Sequence, residues 1–530
     1  MAELVVLTQG PPDSDVSCTP LGRSLGCQTG GGWRLSPAPG GDLQPDDIVM
    51  VLPVETRFAR SACETILQAF TEHPEAVALY GDCLVGGRCH SRPAWSPTRV
   101  QSEPGASLPL AVRVSRPGFD PADDPLEQER QLAESNAPVL HLPSVLTIHP
   151  DWPPPGDEFL MGDPRFEPGE RSGTRRRCPS LRGQASTSII IPSAGVSRPA
   201  TTRSMLSRHL ETLTLLDPPP LEVIVVIGDE FRGEPPQQED LKGSGLEVKV
   251  LHRGPGTFDF SRAINLGLLA CRGELVLMAN DDLEAETPDW LGRMAAHLDD
   301  PTVGAVGAAL LYPDRTVQHA GMVIHGGHPR HLFKGASFDE LGTGMVIHGD
   351  HPQHLFNNME PAGTAAHGGD VARDAIGVTG ACLLARRRDL LAVGGLSHDY
   401  PVSYGDIDLC LRLRRTGLRV VIEPAAVLVH HESASREPVI QPWEWNRFIH
   451  RWGEVNDPWF HPSFRGPNHP DPKDGNTDAD PTDTDPDDDA ATADDNAAPT
   501  DASGPARSTA IRSRMHESWV NIPWELPAQG

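Results

Sequence analysis

Residues 271–282 read CRGELVLMANDD, an apolar run from Leu275 to Ala279 that stops on Asn280, Asp281 and Asp282. A run of strand length that ends on adjacent carboxylates is a buried strand delivering charge to the edge of a sheet. At such an edge a divalent cation and an anionic ligand can meet.

Outward from this strand, β-branched runs alternate with helical periodicity. STSIIIPSAG (186–195) is a strand ending in small residues, and SMLSRHLETLTLL (204–216) is a helix with Leu206, Leu210, Leu213 and Leu216 on one side. LEVIVVIGDE (221–230) and LEVKVLHR (246–253) are further strands, and FDFSRAINLGLLACRG (258–273) is a helix opening at Ser261. Strands alternating with helices predict a doubly wound, largely parallel α/β sheet. Ligands bind such sheets at the carboxyl ends of strands, where Ser193, Asp229 and Asp282 fall.

The pattern resumes at 376–429 with a strand, an acidic cluster on a helix (GDIDLCLRLRRTG, 405–417) and another strand. PWEWNRFIHRW (442–452) closes it as an amphipathic helix. Between the two halves, GMVIHGGHPRHLF (321–333) recurs as GMVIHGDHPQHLF (344–356). Two copies are too few for a solenoid. Together with His319 they hold His325, His328, His331, His348, His351 and His354, interleaved with Gly and Pro, and read as a lengthened loop.

Ahead of this block, residues 1–46 read as irregular. Residues 47–150 offer a few strands and one amphipathic helix, and 151–185 is a Pro/Gly/Arg-rich linker. Behind it, 466–530 is an acidic tail with almost no apolar content before its last residues, and reads as mostly disordered. The formal charge of -28 excludes a nucleic-acid surface, which needs a basic stripe. Nine cysteines without a CxxC pair read as free thiols in a reducing compartment. MAELVVLTQGPP lacks the positive start of a signal peptide, and no apolar run reaches membrane-spanning length. These observations predict a cytoplasmic protein, peripheral to the inner face of a membrane through its substrate.

Four residue groups carry chemistry. Asp281 and Asp282 suit a divalent cation bridging phosphate oxygens, although Asp also favours turns after strands. Asp406 and Asp408 open a helix; Asp406 is the candidate base, while Asp408 is better explained by the helix dipole or an arginine partner. His430 and His431 follow a strand, and one of them, His430 by preference, completes the cation's sphere. Asp229 is placed to accept a hydrogen bond from a nucleotide base.

As an ordered set, SIIIPSAG, EVIVVIGDE, FDFSRAINLG, GELVLMANDD, VTGACLLARR, GDIDLCLRL and VLVHHESASR resemble the family-two glycosyltransferases with a GT-A fold, especially those of O-antigen and rhamnan-type polysaccharide assembly. The resemblance covers roughly 188–436. It implies an inverting, metal-dependent transfer from a nucleotide-sugar donor to a glycan or lipid-linked acceptor. Asp406 would be the base, and Asp282 and His430 would hold Mg2+ or Mn2+. Ser193, Asp229, Asn265 and Asp281 would line the donor. Three positions depart from the family pattern: Gly405 stands where Glu or Asn precedes the base, Ser193-Ala194-Gly195 ends the first strand, and Gly228-Asp229 ends the second. The front segment is similar to the end of a first glycosyltransferase domain in longer tandem members, so 47–150 is a degenerate remnant and 186–465 the catalytic domain. The rival expectation is an inactive scaffold or carbohydrate-binding protein of a glycan-assembly complex.

Overall fold

The computed structural model describes residues 2–459 except, chiefly, 10–15, 37–42, 151–162, 198–203, 237–244, 339–344, 355–368 and 432–440, together with a short strand at 519–520. The rest of the acidic tail lies outside the described residues.

The front unit contains β1 (Leu4–Gln9), β2 (Trp33–Ser36), β3 (Ile48–Pro53), β4 (Arg57–Phe58), helix α1 (Ala62–Glu72), β5 (Ala78–Val85), α2 (Pro97–Ser102), β6 (Ala111–Arg113), α3 (Pro125–Glu134) and β7 (Val139–His149). Within 1–46, expected to be irregular, Leu4–Gln9 and Trp33–Ser36 are therefore strands. Leu4, Val5, Val6 and Leu7 are buried, and β1 lies parallel between β2 and β3 in the sheet. A short central strand flanked by Gly and Pro gives little periodicity to read. Asp124 caps α3 by accepting from the Leu126 N–H.

The segment expected to be a linker is packed from residue 163 onward. Phe166–Pro168 pairs with Arg175–Arg177, and the Phe166 ring lies under the Arg175 guanidinium at 4.3 Å. This hairpin ties the two units together: Arg177 donates to Gln101 in the front unit and to the Ala296 carbonyl in the second. Beside it Asp374, buried in the second unit, accepts from Ser96 of the front unit at 2.6 Å and pairs with Arg419 at 2.6 Å. Arg419 in turn donates to Thr98 at 2.8 Å.

The second unit runs β8 (Thr187–Ser193), α4 (Met205–Leu213), β9 (Glu222–Ile227), β10 (Val248–His252), α5 (Phe260–Ala270), β11 (Leu275–Ala279), β12 (Leu283–Ala285), α6 (Trp290–His297), β13 (Val303–Leu311), β14 (Val317–His319), a hairpin of β15 (Met322–His325) and β16 (His328–His331), then β17 (Cys382–Arg386), α7 (Gly405–Arg415), β18 (Arg419–His430) and α8 (Pro442–Trp452). The order across the sheet is β10-β9-β8-β11-β17-β13-β18-β12. Along it the long strands run in one direction except β17, which is antiparallel to both neighbours. This is the α/β, mostly parallel sheet that the sequence predicts.

Both faces of this sheet are covered, which is why its strands read as continuous apolar runs. Ile189 and Ile191 join the core on one side with α4 and α6, and Ile190 joins the other with α5 and α7. α5 approaches so closely that a Cβ on Gly267 would sit 2.4 Å from Ile190. Its N-cap is Asp259, which accepts from the Arg262 N–H, rather than Ser261, whose hydroxyl instead donates to the Tyr400 carbonyl. The repeated sequence forms two hairpins of the same register, 322–331 and 345–354.

The two sheets share one plan. The front order is β2-β1-β3-β6-β5-β7, and with β10 set aside the second matches it strand for strand. Each has its antiparallel strand in the same place, and each returns a short strand, β4 or β12, across the last long one.

Candidate active site

The strand ends converge as the alternation of elements requires. Asp281 and Asp282 follow β11 and are 9% and 8% exposed. The Ser193 hydroxyl, at the end of the adjoining β8, donates to Asp281 Oδ2 at 2.5 Å. Burial pushes the Asp281 carboxyl up to about 6; the Ser193 bond opposes this and the neighbouring Asp282 charge adds to it.

Asp282 is held differently. β12 pairs antiparallel with β18 so that Leu283 lies opposite His430. This register brings His430 Nε2 to 3.2 Å from Asp282 Oδ1. The contact lacks the alignment of a hydrogen bond, and Oδ1 is buried without a donor. Asn280 Nδ2 lies 3.0 Å from the same Nε2, and Gln318 Oε1 lies 2.5 Å from Nδ1. His431 points elsewhere, with Nε2 3.3 Å from Glu284. Of the two histidines, His430 is the one against Asp282.

Among the described residues no group of three or more His, Cys, Asp or Glu side chains converges as metal ligands. Asp282 and His430 are two. A buried carboxylate oxygen without a donor beside an imidazole nitrogen suits a divalent cation whose other positions are filled by ligand oxygens or water.

Asp406 reaches the same edge from α7. Its Oδ2 accepts from the Gly380 N–H at 2.9 Å, and the next carbonyl, Ala381, accepts from the Asn280 N–H at 3.0 Å. One backbone turn thus separates the Asp406 carboxylate from the segment carrying Asp281 and Asp282. The approach to α7 is fixed from below: Glu444 Oε1 accepts from the Val402 and Ser403 N–H groups, and Tyr404, at φ 63°, stacks on Phe448 at 5.2 Å. Gly405 is hemmed in, since a Cβ there would lie 3.1 Å from the Ser261 hydroxyl. Asp408 is wholly buried and accepts from Arg412 Nε and Trp452 Nε1, so it fastens α8 to α7.

The remaining candidates divide. Asp229 is exposed just past the end of β9. Asn265 is occupied elsewhere: its amide bonds both the N–H and the carbonyl of Leu396, each at 2.8 Å, and so secures the turn at 395–396. Arg253, which is not among the residues expected from sequence, follows β10 on the same edge. It is buried, donates to Glu230 and to the Gly256 carbonyl, and leaves Nε and Nη1 without partners among the described residues. Its guanidinium fills the space over Gly228, where a Cβ would come within 2.6 Å. The signal was available: LEVKVLHR ends a strand on a cation at the edge where ligands bind.

An acidic pair, a histidine and a second acid thus stand at the carboxyl-end edge of a mostly parallel sheet. Residues 188–349 match the model of glycosyl transferase family 2. The chain is 36% identical over 232 residues to the protein y4gI of Sinorhizobium fredii, covering 43% of this chain and 23% of that one. It is 27% identical over 460 residues to the O-antigen biosynthesis protein RfbC of Myxococcus xanthus, covering 78% of this chain and 34% of that one. It is also 26% identical over 250 residues to an N-acetylglucosaminyl-diphospho-decaprenol L-rhamnosyltransferase of Mycobacterium tuberculosis, covering 44% and 74%. The chain thus spans about a third or less of the length of the first two relatives.

Proposed function

We propose that the second unit, 186–465, is a metal-dependent inverting glycosyltransferase that moves a sugar from a nucleotide sugar to a growing polysaccharide or glycolipid of the cell surface. The observation that carries this is the buried Asp282 oxygen facing His430, one backbone turn from the Asp406 carboxylate. Asp282 and His430 would hold Mg2+ or Mn2+, which would neutralise the departing diphosphate. Ser193 holds Asp281, and Arg253, whose Nε and Nη1 have no partner among the described residues, would donate to the donor's base or phosphates. Asp406 takes the proton of the acceptor hydroxyl. The oxygen bonds to the anomeric carbon as the bond to the diphosphate breaks, and the diphosphate leaves with the electron pair. Among the described residues no helix is long and apolar enough to cross a membrane. The reading places the enzyme in the cytoplasm, at the inner face of the membrane, where a lipid-linked acceptor would meet it.

The front unit supports a second reading. We infer that 47–150, extended by β1 and β2, is a second copy of the same sheet whose acidic site has lapsed. His149 ends β7 as His430 ends β18, but its ring meets Thr56 Oγ1 at 3.2 Å and Thr147 Oγ1 at 2.9 Å. Threonine hydroxyls thus stand around the histidine where the second unit has an acid.

Incubation of the full chain with a panel of nucleotide sugars and Mn2+ tests the enzyme reading. Donor turnover that disappears in Asp282→Ala and Asp406→Asn supports it. Absence of donor binding at every metal concentration favours a scaffold instead.

A further inference from the structure

β14 is three residues long and pairs with the end of β13. Its two polar residues, Gln318 and His319, are 5% and 0% exposed, and neighbours on a strand point to opposite faces. Burying a carboxamide costs free energy unless its hydrogen bonds are made. Gln318 makes one to His430: its Oε1 lies 2.5 Å from Nδ1.

That contact assigns the histidine's protons. A carboxamide oxygen only accepts, so Nδ1 carries a hydrogen, and in the neutral ring Nε2 then keeps its lone pair. The second contact agrees, because Asn280 Nδ2 can only donate and it lies 3.0 Å from Nε2. An unprotonated Nε2 also accounts for Asp282 Oδ1, which lies 3.2 Å away yet has no donor. Nε2 and Asp282 Oδ1, 3.2 Å apart, are close enough to share one divalent cation.

We propose that Gln318 is a positioning residue that fixes the ring orientation and tautomer of His430, presenting Nε2 beside Asp282 for a divalent cation. This rests on the reading of Asp282 and His430 as cation ligands. A ligating imidazole anchored through its other nitrogen binds metal more tightly, and loss of such an anchor lowers affinity about 10- to 100-fold. The opposite face of the strand serves the other acid: His319 Nε2 accepts from the Thr379 N–H at 3.3 Å, one residue before the Gly380 N–H that binds Asp406.

The test is Mn2+ binding by the full chain with UDP, GDP or dTDP present, followed by the loss of the free-ion electron paramagnetic resonance signal. Gln318→Leu is expected to weaken Mn2+ binding about 10- to 100-fold, and Gln318→Glu, which still accepts from Nδ1–H, to restore it to within a few-fold of the parent. A Gln318→Leu chain that binds Mn2+ like the parent while His430→Ala does not overturns the proposal and leaves the metal reading standing. Unchanged binding in His430→Ala overturns both. Should Gln318→Leu fail to fold, the parent chain decides. Long-range proton–nitrogen NMR with 15N-histidine, His430 being assigned by its loss in His430→Asn, is expected to show the proton on Nδ1. A proton on Nε2 overturns the proposal.

Discussion

Asp406 accepts the Gly380 N–H through one carboxylate oxygen, Oδ2, at 2.9 Å, while its Oδ1 accepts from the Ile407 N–H. An amide can keep an acceptor on Gly380 but cannot take a proton. Asp406→Asn is therefore expected to leave donor binding and the unfolding midpoint near those of the parent. Transfer should slow about 10²- to 10⁴-fold, the share that a positioned base contributes. Steady-state kinetics with the donor found in the panel check this. An Asp406→Asn chain within a few-fold of the parent rate would remove Asp406 from the role of base.

Arg253 gives a prediction on binding alone. Its Nη2 is held by Glu230 and the Gly256 carbonyl, which leaves Nε and Nη1 to an incoming anion or base oxygen. A hydrogen bond to a charged group contributes about 1.5–3 kcal/mol. Arg253→Met should therefore raise the dissociation constant of the nucleoside diphosphate about 10- to 100-fold, with the rate at saturating donor much less affected. Calorimetric titration measures it, and an unchanged dissociation constant would place the donor elsewhere.

How far the sequence carries depends on which physical signal each residue leaves. The second sheet was legible because strands buried on both faces cannot hide their apolar runs, and Asp281, Asp282 and Asp406 were legible because acids end or open those elements. The choice between His430 and His431 was not, since it turns on the pairing of β12 with β18, a register set between strands far apart in the chain. Asn265 looked like a ligand because the motif around it matches, yet its amide is used by Leu396. β1 and the hairpin at 166–177 were missed for a common reason. Both are short and bounded by Gly or Pro, and their order comes from tertiary partners such as Phe166 and Gln101 rather than from any local pattern.

The contact between the two units predicts a large and specific loss. Asp374 is wholly buried and its charge is met by Arg419, with Ser96 and Thr98 of the front unit as its other partners. Removing one member of a buried pair strands the other and costs about 3–5 kcal/mol, whereas removing both is far milder. Arg419→Met should lower the urea midpoint of the full chain sharply, and Arg419→Met with Asp374→Leu should recover most of it. If the double variant is as unstable as the single one, the charge pair is not what holds the units together.

Glu129 makes the stability of the front unit depend on pH. It lies buried on α3 and accepts from the Gly105 and Ser107 N–H groups at 2.5 and 2.8 Å. Burial nonetheless outweighs these bonds and pushes its carboxyl up to about 7. Between the ordinary carboxyl range and about 7, the folded chain keeps a proton that the unfolded chain has released, so stability falls as pH rises through that window and then levels off. The total is on the order of 3 kcal/mol, since every tenfold gain in proton affinity on folding is worth about 1.4 kcal/mol. Glu129→Gln retains an acceptor for one of the two N–H groups and has no proton to lose. Its urea midpoint should therefore drop less than the parent's between about pH 5 and about pH 8. Parallel curves for the two chains would show that Glu129 is not the group responsible.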